Sequence, residues 1–449
     1  MLARLCFHAT LAIALLPALL FAGRPLWVLA PAAVAAGLVL IVAAAARFRA
    51  PNGGMTWSDR LVLAAGLAWL AVIGYAASQA FGVGPAAGAG GDWAAAAGLT
   101  GQEFPARGSL NAGATALGCL RLSLYAGVFL LAYWTCRGRD DAWRVMWAVV
   151  GVATAAALYA VLAKIAGVEY VLWQEKRYYV GYATGPFPNR NTFATFLAIG
   201  LAANVAIWAR ALRRAAPGDI EGQEKLRLVL EFATKRGVLL AAPGLLMALA
   251  GLMTGSRAGL AAMALAVVAT ALVIALRTAS ARSPASIAAI AGVVAILGAL
   301  WALGGSGAAN RGVSLDASYE QRAELFQDTR RMIAEAPLAG VGLGAFPEAI
   351  HRHKTTELTN DWRRAHNVYL EAAAELGLPA AALMLLAVGL VGFAAARAVF
   401  TRRRLAPMAA ASVGGLLAAA AHSLVDFPLQ EPAVVLVLAV TLGAAASQA

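Results

Sequence analysis

The sequence predicts an all-α polytopic membrane protein, and its composition and hydropathy pattern carry that prediction. Of its 449 residues, 61% are hydrophobic and 13% are charged, and the mean hydropathy is +0.71. A soluble domain is about 45–50% apolar and about 25% charged. The apolar residues also fall in runs of roughly the 20 residues that a helix needs to cross a bilayer. These runs are rich in alanine and glycine, which allow helices to pack closely in lipid.

Twelve apolar runs are candidate transmembrane helices. They cover residues 4–22, 25–46, 61–80, 112–136, 143–167, 191–209, 237–254, 258–276, 285–303, 367–396, 406–423 and 432–447. The first run follows Arg4, as the core of a signal peptide follows its basic residues. Because the second run begins almost at once, at Pro25, we predict a retained helix instead.

Basic residues set the predicted orientation of these helices. Arginine and lysine cluster in every second loop, namely in the connections at 47–60, 137–144, 210–236, 277–282 and 397–404. By the positive-inside rule these loops are cytoplasmic, and so are both termini. In a bacterial inner membrane the opposite loops then face the periplasm. Orientation in the bilayer thus accounts for the net charge of +13, and no nucleic-acid partner is predicted.

The chain divides into three parts. Membrane helices one to nine occupy 1–303, a polar periplasmic loop occupies 304–366, and helices ten to twelve occupy 367–449. Within the polar loop, apolar residues alternate with charged ones at helical spacing from Tyr319 to Glu335. This spacing predicts an amphipathic helix that lies on the membrane domain.

Two further polar segments interrupt the helices. The Gly/Ala-rich stretch 83–111 is predicted to be a poorly specified or lid-like periplasmic loop. The stretch 210–236 is predicted to be a solvated, charged connector, with a short amphipathic surface helix as the alternative.

Polar clusters lie at the predicted periplasmic ends of several helices, at 185–191, 254–257, 363–367 and 422–428. Arg190 and Arg257 stand where helices begin, and free N–H groups and the helix dipole favour anions there. A guanidinium adds a fork of donors that fits phosphate oxygens. Two such arginines on one membrane face predict a diphosphate-binding site, although each alone could be an interfacial residue.

His366 is the candidate catalytic residue, because it stands where the polar loop meets helix ten. An imidazole can accept a hydroxyl proton near neutral pH; the alternative is that His366 caps the helix. Asp426 is a candidate for orienting a partner arginine or histidine, or else for capping helix twelve. His351 and His353 suggest a metal site with His366, but an H-x-H pair alone is a weak zinc signal. We predict no metal and no cofactor.

Five motifs resemble those of the O-antigen ligase and O-antigen polymerase superfamily of bacterial inner-membrane proteins. They are FPNRN at 187–191, TGSRAG at 254–259, PLAGVGLGAF at 337–346, HNVYL at 366–370 with ELG at 375–377, and DFPLQ at 426–430. The resemblance extends from about residue 150 to 435, and HNVYL with ELG is its most specific part. The first four helices carry no comparable motif.

The resemblance implies a GT-C-like membrane glycosyltransferase that needs neither a metal nor a nucleotide sugar. Its donor would be a glycan on undecaprenyl diphosphate, presented at the periplasmic face. Arg190 and Arg257 would hold the diphosphate, and His366 would activate the acceptor hydroxyl or assist as the glycan departs. Supporting roles would then fall to Asn189, Asn191, Ser256, Arg322, Asn367, Tyr369 and Asp426.

The acceptor stays open between alternatives. A ligase transfers the glycan to lipid A core, which is the alternative we favour, whereas an O-antigen or exopolysaccharide polymerase transfers it to another lipid-linked repeat. Transfer to a protein hydroxyl is a third possibility. A twelve-helix secondary transporter is the alternative of another class, but it would place polar groups at mid-membrane in two mirrored halves. Here the polar groups are predicted at one face.

Overall fold

A computed structural model describes residues 2–48, 54–82, 90–102, 107–217, 220, 222–277, 312–353 and 362–449. The predicted helix at 285–303 lies outside these residues, and so does part of the polar loop at 304–366. The number of twelve transmembrane helices therefore stays a prediction.

Fifteen α-helices make up almost all of the described structure. They are α1 (Leu2–Leu15), α2 (Leu26–Phe48), α3 (Trp57–Phe81), α4 (Gly90–Thr100), α5 (Ala112–Thr135), α6 (Arg139–Ile165), α7 (Arg190–Ala215), α8 (Gly222–Phe232), α9 (Val238–Met253), α10 (Arg257–Leu276), α11 (Gly312–Glu335), α12 (Phe346–His353), α13 (Val368–Thr401), α14 (Ala406–His422) and α15 (Pro432–Ala446). The strands described are a two-residue antiparallel pair, β1 (Tyr170–Val171) and β2 (Gln174–Glu175).

The prediction of an all-α polytopic membrane protein is confirmed. Within the described residues, nine helical segments are long and apolar enough to cross a membrane, and α14 and α15 are shorter apolar helices. Each of these eleven segments overlaps one of the predicted runs. The first run differs in detail, since α1 ends at Leu15 and 3-10 turns at Leu16–Leu19 and Phe21–Gly23 carry the chain onward.

The two polar segments, 83–111 and 210–236, contain more helix than the sequence predicts. The stretch 83–111 includes α4, and the stretch 210–236 includes α8. The prediction of a charged connector was wrong at α8, because Leu226 and Leu230 fall one turn apart on one face among charged residues. That spacing makes α8 an amphipathic helix, which was the alternative prediction for this stretch.

Helix α7 is the centre of the bundle. It contacts α6, α9, α10 and α14, and nearly every residue from Thr192 to Ile207 is buried. Close packing depends on small residues: a Cβ on Gly200 would lie 2.6 Å from Cβ of Ala153 and 2.7 Å from Sδ of Met247. Residues in the first turn of α7 are therefore held at the centre of one end of the bundle.

The described parts of several loops predicted to be cytoplasmic lie at one end of the bundle. Nη2 of Arg277, after α10, donates to the Phe400 carbonyl near the end of α13 at 3.1 Å. Nε2 of Gln448, after α15, donates to the Cys136 carbonyl between α5 and α6 at 2.8 Å. We call this the basic end, and the opposite end, where α7, α10 and α13 begin, the polar end.

A sharp bend in α13 receives a glycine-rich turn at the polar end. Gly377 interrupts the helix with φ 76° and ψ 160°, which is a backbone region that essentially only glycine occupies. The turn at 337–344 packs into this bend: Leu378 donates its N–H to the Pro337 carbonyl at 2.8 Å, and Gly342 donates to the Glu375 carbonyl at 2.9 Å. The ELG motif therefore joins the outer segment to the membrane helices.

We expect Gly377→Ala to destabilise the protein by at least about 2 kcal/mol, since such backbone strain costs about 1–3 kcal/mol and the clash adds to it. A Cβ there would lie 2.3 Å from the Leu338 carbonyl oxygen, which is backbone and cannot rotate away. The matched control is Gly389→Ala in the same helix, where a Cβ meets nothing within 4 Å. Thermal unfolding of both purified variants checks this, and equal melting temperatures would contradict it.

Candidate active site

The four predicted polar clusters meet at the polar end. Val368 N–H donates to the Ser423 carbonyl at 2.9 Å, and Nδ2 of Asn367 donates to the Leu424 carbonyl at 3.0 Å. On the other side, Ala183 N–H donates to the Met253 carbonyl at 2.9 Å. The clusters are far apart in sequence, and the packing of α7 against α10 and α14 brings them together.

His366 lies immediately before α13 in a strained conformation. Its φ is +50°, which is uncommon for a residue other than glycine. The helix cap is Asn367, whose Oδ1 accepts the N–H groups of Tyr369 and Leu370, both at 3.1 Å. The alternative of His366 as the cap is therefore wrong, and its imidazole is left for other contacts.

Two aromatic rings hold the His366 imidazole edge-on. The ring centroid lies 5.3 Å from that of Trp362 and 5.1 Å from that of Phe427. The side chain is 15% exposed, and Nδ1 is fully buried. The exposed part of the ring therefore lies away from Nδ1.

Asp426 lies beside the buried nitrogen of His366. Its Oδ1 is 3.3 Å from Nδ1 of His366, although the ring N–H direction does not meet hydrogen-bond geometry. Oδ1 also accepts the N–H of Phe427 at 2.9 Å, and Nδ2 of Asn191 donates to Oδ2. Burial would raise the pKa of Asp426, but the nearby His366, His422 and Arg322 outweigh it and lower the pKa to about 2.

We expect Asp426→Asn to lose stability at neutral pH and to remove one acid-sensitive contribution. Because the folded state lowers this pKa from 3.8 to about 2, the ionised carboxylate stabilises the fold above about pH 4, and that contribution disappears as pH falls towards 2. The contribution is about 2 kcal/mol. Unfolding measured between pH 7 and 2 should show the variant and wild type converging at low pH. The exposed Asp140→Asn is the control, and a constant difference for Asp426→Asn would contradict the assignment.

Arg190 is the first residue of α7 and lies under two tyrosine rings. Its Cζ is 4.0 Å from the Tyr182 centroid and 5.4 Å from the Tyr179 centroid. Nε and Nη1 are buried and have no hydrogen-bond partner in the described structure. Asn189 caps the helix, with Oδ1 accepting the N–H of Asn191 at 2.7 Å. A buried guanidinium with free N–H groups at a helix start is suited to an anion.

Arg257 begins α10, and its helix start touches that of α7. Ser256 caps α10, with Oγ accepting the Gly259 N–H at 3.1 Å. A Cβ on Gly259 would lie 2.4 Å from Cβ of Ala194, and one on Gly255 would lie 3.4 Å from Nη1 of Arg190. Arg257 has no hydrogen bond or ion pair among the described residues. Two positively charged helix N-termini are thus adjacent.

Three other predicted residues take different positions. Helix α11 packs against α13, and Arg322 in α11 interacts electrostatically with Asp426 and with Tyr179. The hydroxyl of Tyr369 donates to the Ala420 carbonyl at 2.7 Å and so joins α13 to α14. His422 is buried, with Nδ1 2.7 Å from Oγ1 of Thr195, so it is a packed histidine of the helix end.

Several residues at the site had not been predicted. Glu371, one turn into α13, accepts the Ala365 N–H at 2.7 Å and Nη1 of Arg364 at 2.9 Å, so it holds the backbone just before His366. Its signal in the sequence is a carboxylate inside an apolar helix, which is costly without a partner. Arg24, before α2, pairs with the buried Glu431 at 2.6 Å. Such pairs between distant segments leave no local signal.

The alternative of a metal site at His351, His353 and His366 has no set of donors among the described residues. Nδ1 of His353 lies 3.5 Å from Glu335, and His366 faces Asp426 instead. Within the described ranges, no group of three His, Cys, Asp or Glu side chains could hold a metal ion.

Fold and site together define a polytopic helical membrane protein with a cationic, histidine-containing site at one end of its bundle. Residues 242–385 match the family model described as O-antigen ligase, and the resemblance to the O-antigen ligase superfamily is confirmed. The matched region includes Arg257 and His366, whereas Arg190 and Asp426 lie outside it. No curated protein matches the chain. The match supports a membrane function of the ligase or polymerase type.

Proposed function

We propose that this protein transfers a glycan from undecaprenyl diphosphate to an acceptor hydroxyl, with lipid A core as the acceptor. The reaction takes place at the periplasmic face of a bacterial inner membrane, where the polar end faces, and both termini lie in the cytoplasm. One observation carries the proposal: Asn191, adjacent to the unpaired Arg190, contacts the same Asp426 carboxylate that faces His366. An anion site and a proton acceptor are therefore neighbours.

The two helix N-termini bind the diphosphate of the donor. Arg190 is held by Tyr179 and Tyr182 with its N–H groups free, and Arg257 begins the adjacent helix. Negative charge develops on the diphosphate as the glycan leaves, and fixed cations stabilise that charge in the transition state. The site supplies this stabilisation from side chains and helix ends, so we propose no metal.

His366 accepts the proton of the acceptor hydroxyl. Nδ1 faces Asp426, so Nε2 is the nitrogen that meets the substrate, as in other carboxylate-oriented histidines. The acceptor oxygen attacks the anomeric carbon, the bond from that carbon to the diphosphate oxygen breaks, and the bonding pair leaves with undecaprenyl diphosphate. The proton passes to Nε2. The strained φ of +50° at His366 is consistent with a position maintained for function.

A deletion strain complemented with wild type or His366→Ala tests the proposal. Loss of capped lipid A core, with polymer retained on the lipid carrier, supports transfer to lipid A core. Lipid-linked single repeats would instead make the protein a polymerase. Glycan assembled normally but held on the cytoplasmic side would indicate a transporter, and normal surface glycan with His366→Ala would contradict the site.

A further inference from the structure

A second group of arginines, Arg24, Arg121 and Arg364, lies at the polar end and takes no part in the proposed reaction. Arg121 is in α5, and its Nε is buried with no hydrogen-bond partner in the described part of the chain. Tyr125, one turn further along α5, is only 7% exposed, and its hydroxyl is also buried without a partner. Residues four apart share a helix face, so both unsatisfied groups face the same interior space.

Arg121 lies within the bundle near the polar end. A Cβ on Gly118, one turn before it, would lie 2.7 Å from Cδ2 of Leu343 in the glycine-rich turn. Arg121 interacts electrostatically with Arg24, Arg364 and Glu431. Arg121 in α5 therefore lies within electrostatic range of Arg24, before α2, and of Arg364, before α13.

Two of the three arginines are paired with a carboxylate, and the third carboxylate nearby, Glu375, accepts the Phe346 N–H at 3.2 Å. Glu431 pairs with Arg24, and Glu371 pairs with Arg364; both carboxylates are 0% exposed. Arg121 has no ion-pair partner among the residues described. Its Nε is sealed from solvent without a partner, and a cation without a counter-ion is costly in a membrane protein, so an anion brought by a ligand would relieve that cost.

Arg24 and Arg364 are connected to His366 through contacts that do not involve Arg190. Cζ of Arg24 lies 5.9 Å from the Phe427 centroid, and Phe427 packs against the imidazole. Arg364 precedes His366 by two residues. The Arg24 side chain is 39% exposed and that of Arg364 is 32% exposed, so neither side chain is sealed inside the bundle.

We propose that Arg24, Arg121 and Arg364, with the Tyr125 hydroxyl, form a second anion site that binds a phosphate group of the acceptor. The inference rests on the proposed function, in which Arg190 and Arg257 already hold the donor diphosphate. An acceptor hydroxyl must approach His366 separately from the donor, and a phosphate fixed beside the imidazole would orient it. Two sources share this chemistry: a phosphate of lipid A core and the diphosphate of a second lipid-linked glycan.

Binding to the purified full-length protein in phosphatidylcholine nanodiscs tests the site. Native mass spectrometry counts bound molecules of two probes, diphosphorylated lipid A and undecaprenyl diphosphate. We expect Arg121→Gln to weaken either lipid A binding or a second bound undecaprenyl diphosphate by about tenfold or more, as the loss of a charged hydrogen bond predicts. The probe that is affected identifies the source of the phosphate. The first undecaprenyl diphosphate should bind normally, whereas Arg190→Gln should lose it.

Tyr125→Phe removes only the hydroxyl and keeps the shape of the side chain. It should weaken the binding that Arg121→Gln weakens by about two- to tenfold. This variant tests the site even if Arg121→Gln fails to fold. The exposed Arg330→Gln should change nothing. Unchanged binding in both Arg121→Gln and Tyr125→Phe would overturn the second site, and so would loss of the first undecaprenyl diphosphate in either. A response confined to phosphatidylglycerol added to the nanodiscs would overturn it as well. Wild type that binds no undecaprenyl diphosphate would contradict the proposed function instead.

Discussion

Replacing His366 by alanine is expected to lower glycan transfer by about 10²–10⁴-fold, which is the usual contribution of a positioned proton acceptor. The acceptor hydroxyl would then have no group to take its proton. Donor binding should persist, because Arg190 and Arg257 are untouched. Initial rates with purified protein, lipid-linked donor and acceptor measure the effect.

His351→Ala is the matched control for this prediction. His351 lies in α12 on the same outer segment, but it is exposed and is not placed at the site. Normal transfer by His351→Ala with loss by His366→Ala supports the assignment. Transfer by His366→Ala within threefold of wild type would show that the reaction does not use this imidazole.

Arg257→Ala is expected to reduce transfer by about 10²–10³-fold, as removal of one fixed charge stabiliser does elsewhere. The adjacent Arg190 remains, but the developing charge on the diphosphate would lose one of its two cations. Arg257→Lys should recover only part of the rate, since a lysine lacks the forked donors. Rates and donor affinity measured together separate weaker binding from slower chemistry.

Arg277→Ala provides the control within the same helix. Arg277 follows the last residue of α10 at the basic end and bonds the Phe400 carbonyl. Arg277 lies at the end of α10 opposite to the site. Loss of its guanidinium group should therefore leave transfer unchanged in correctly inserted protein. Equal losses in Arg257→Ala and Arg277→Ala would indicate a defect of folding rather than of the site.

The helices were predictable because their signal is local. The apolar runs at 112–136 and 143–167, for example, correspond to α5 and α6 within a few residues at their ends. A span of hydrocarbon must satisfy its backbone internally, so a long apolar run has few alternatives to a helix. Helix α8 was only the alternative prediction for the stretch 210–236, because its short apolar stripe stands among many charged residues.

The helix starts were also predictable, whereas their contacts were not. Asn189, Ser256 and Asn367 each precede an apolar run, and each caps a helix. Nothing local indicates that Asn191 bonds Asp426, because 235 residues separate them. The same holds for Arg24 and Glu431, which lie 407 residues apart.

Composition and local patterns therefore determined the class of protein, its helices and the end of the bundle where its polar groups gather. The partners of those groups depended on how the helices pack. Small residues allow α7 and α10 to touch at their first turns, and that contact places Arg190 beside the start of α10. The turn after α14 brings Asp426 to His366, and α5 brings Arg121 to Arg364. Distances between side chains on different helices follow from packing, which no local stretch of sequence specifies.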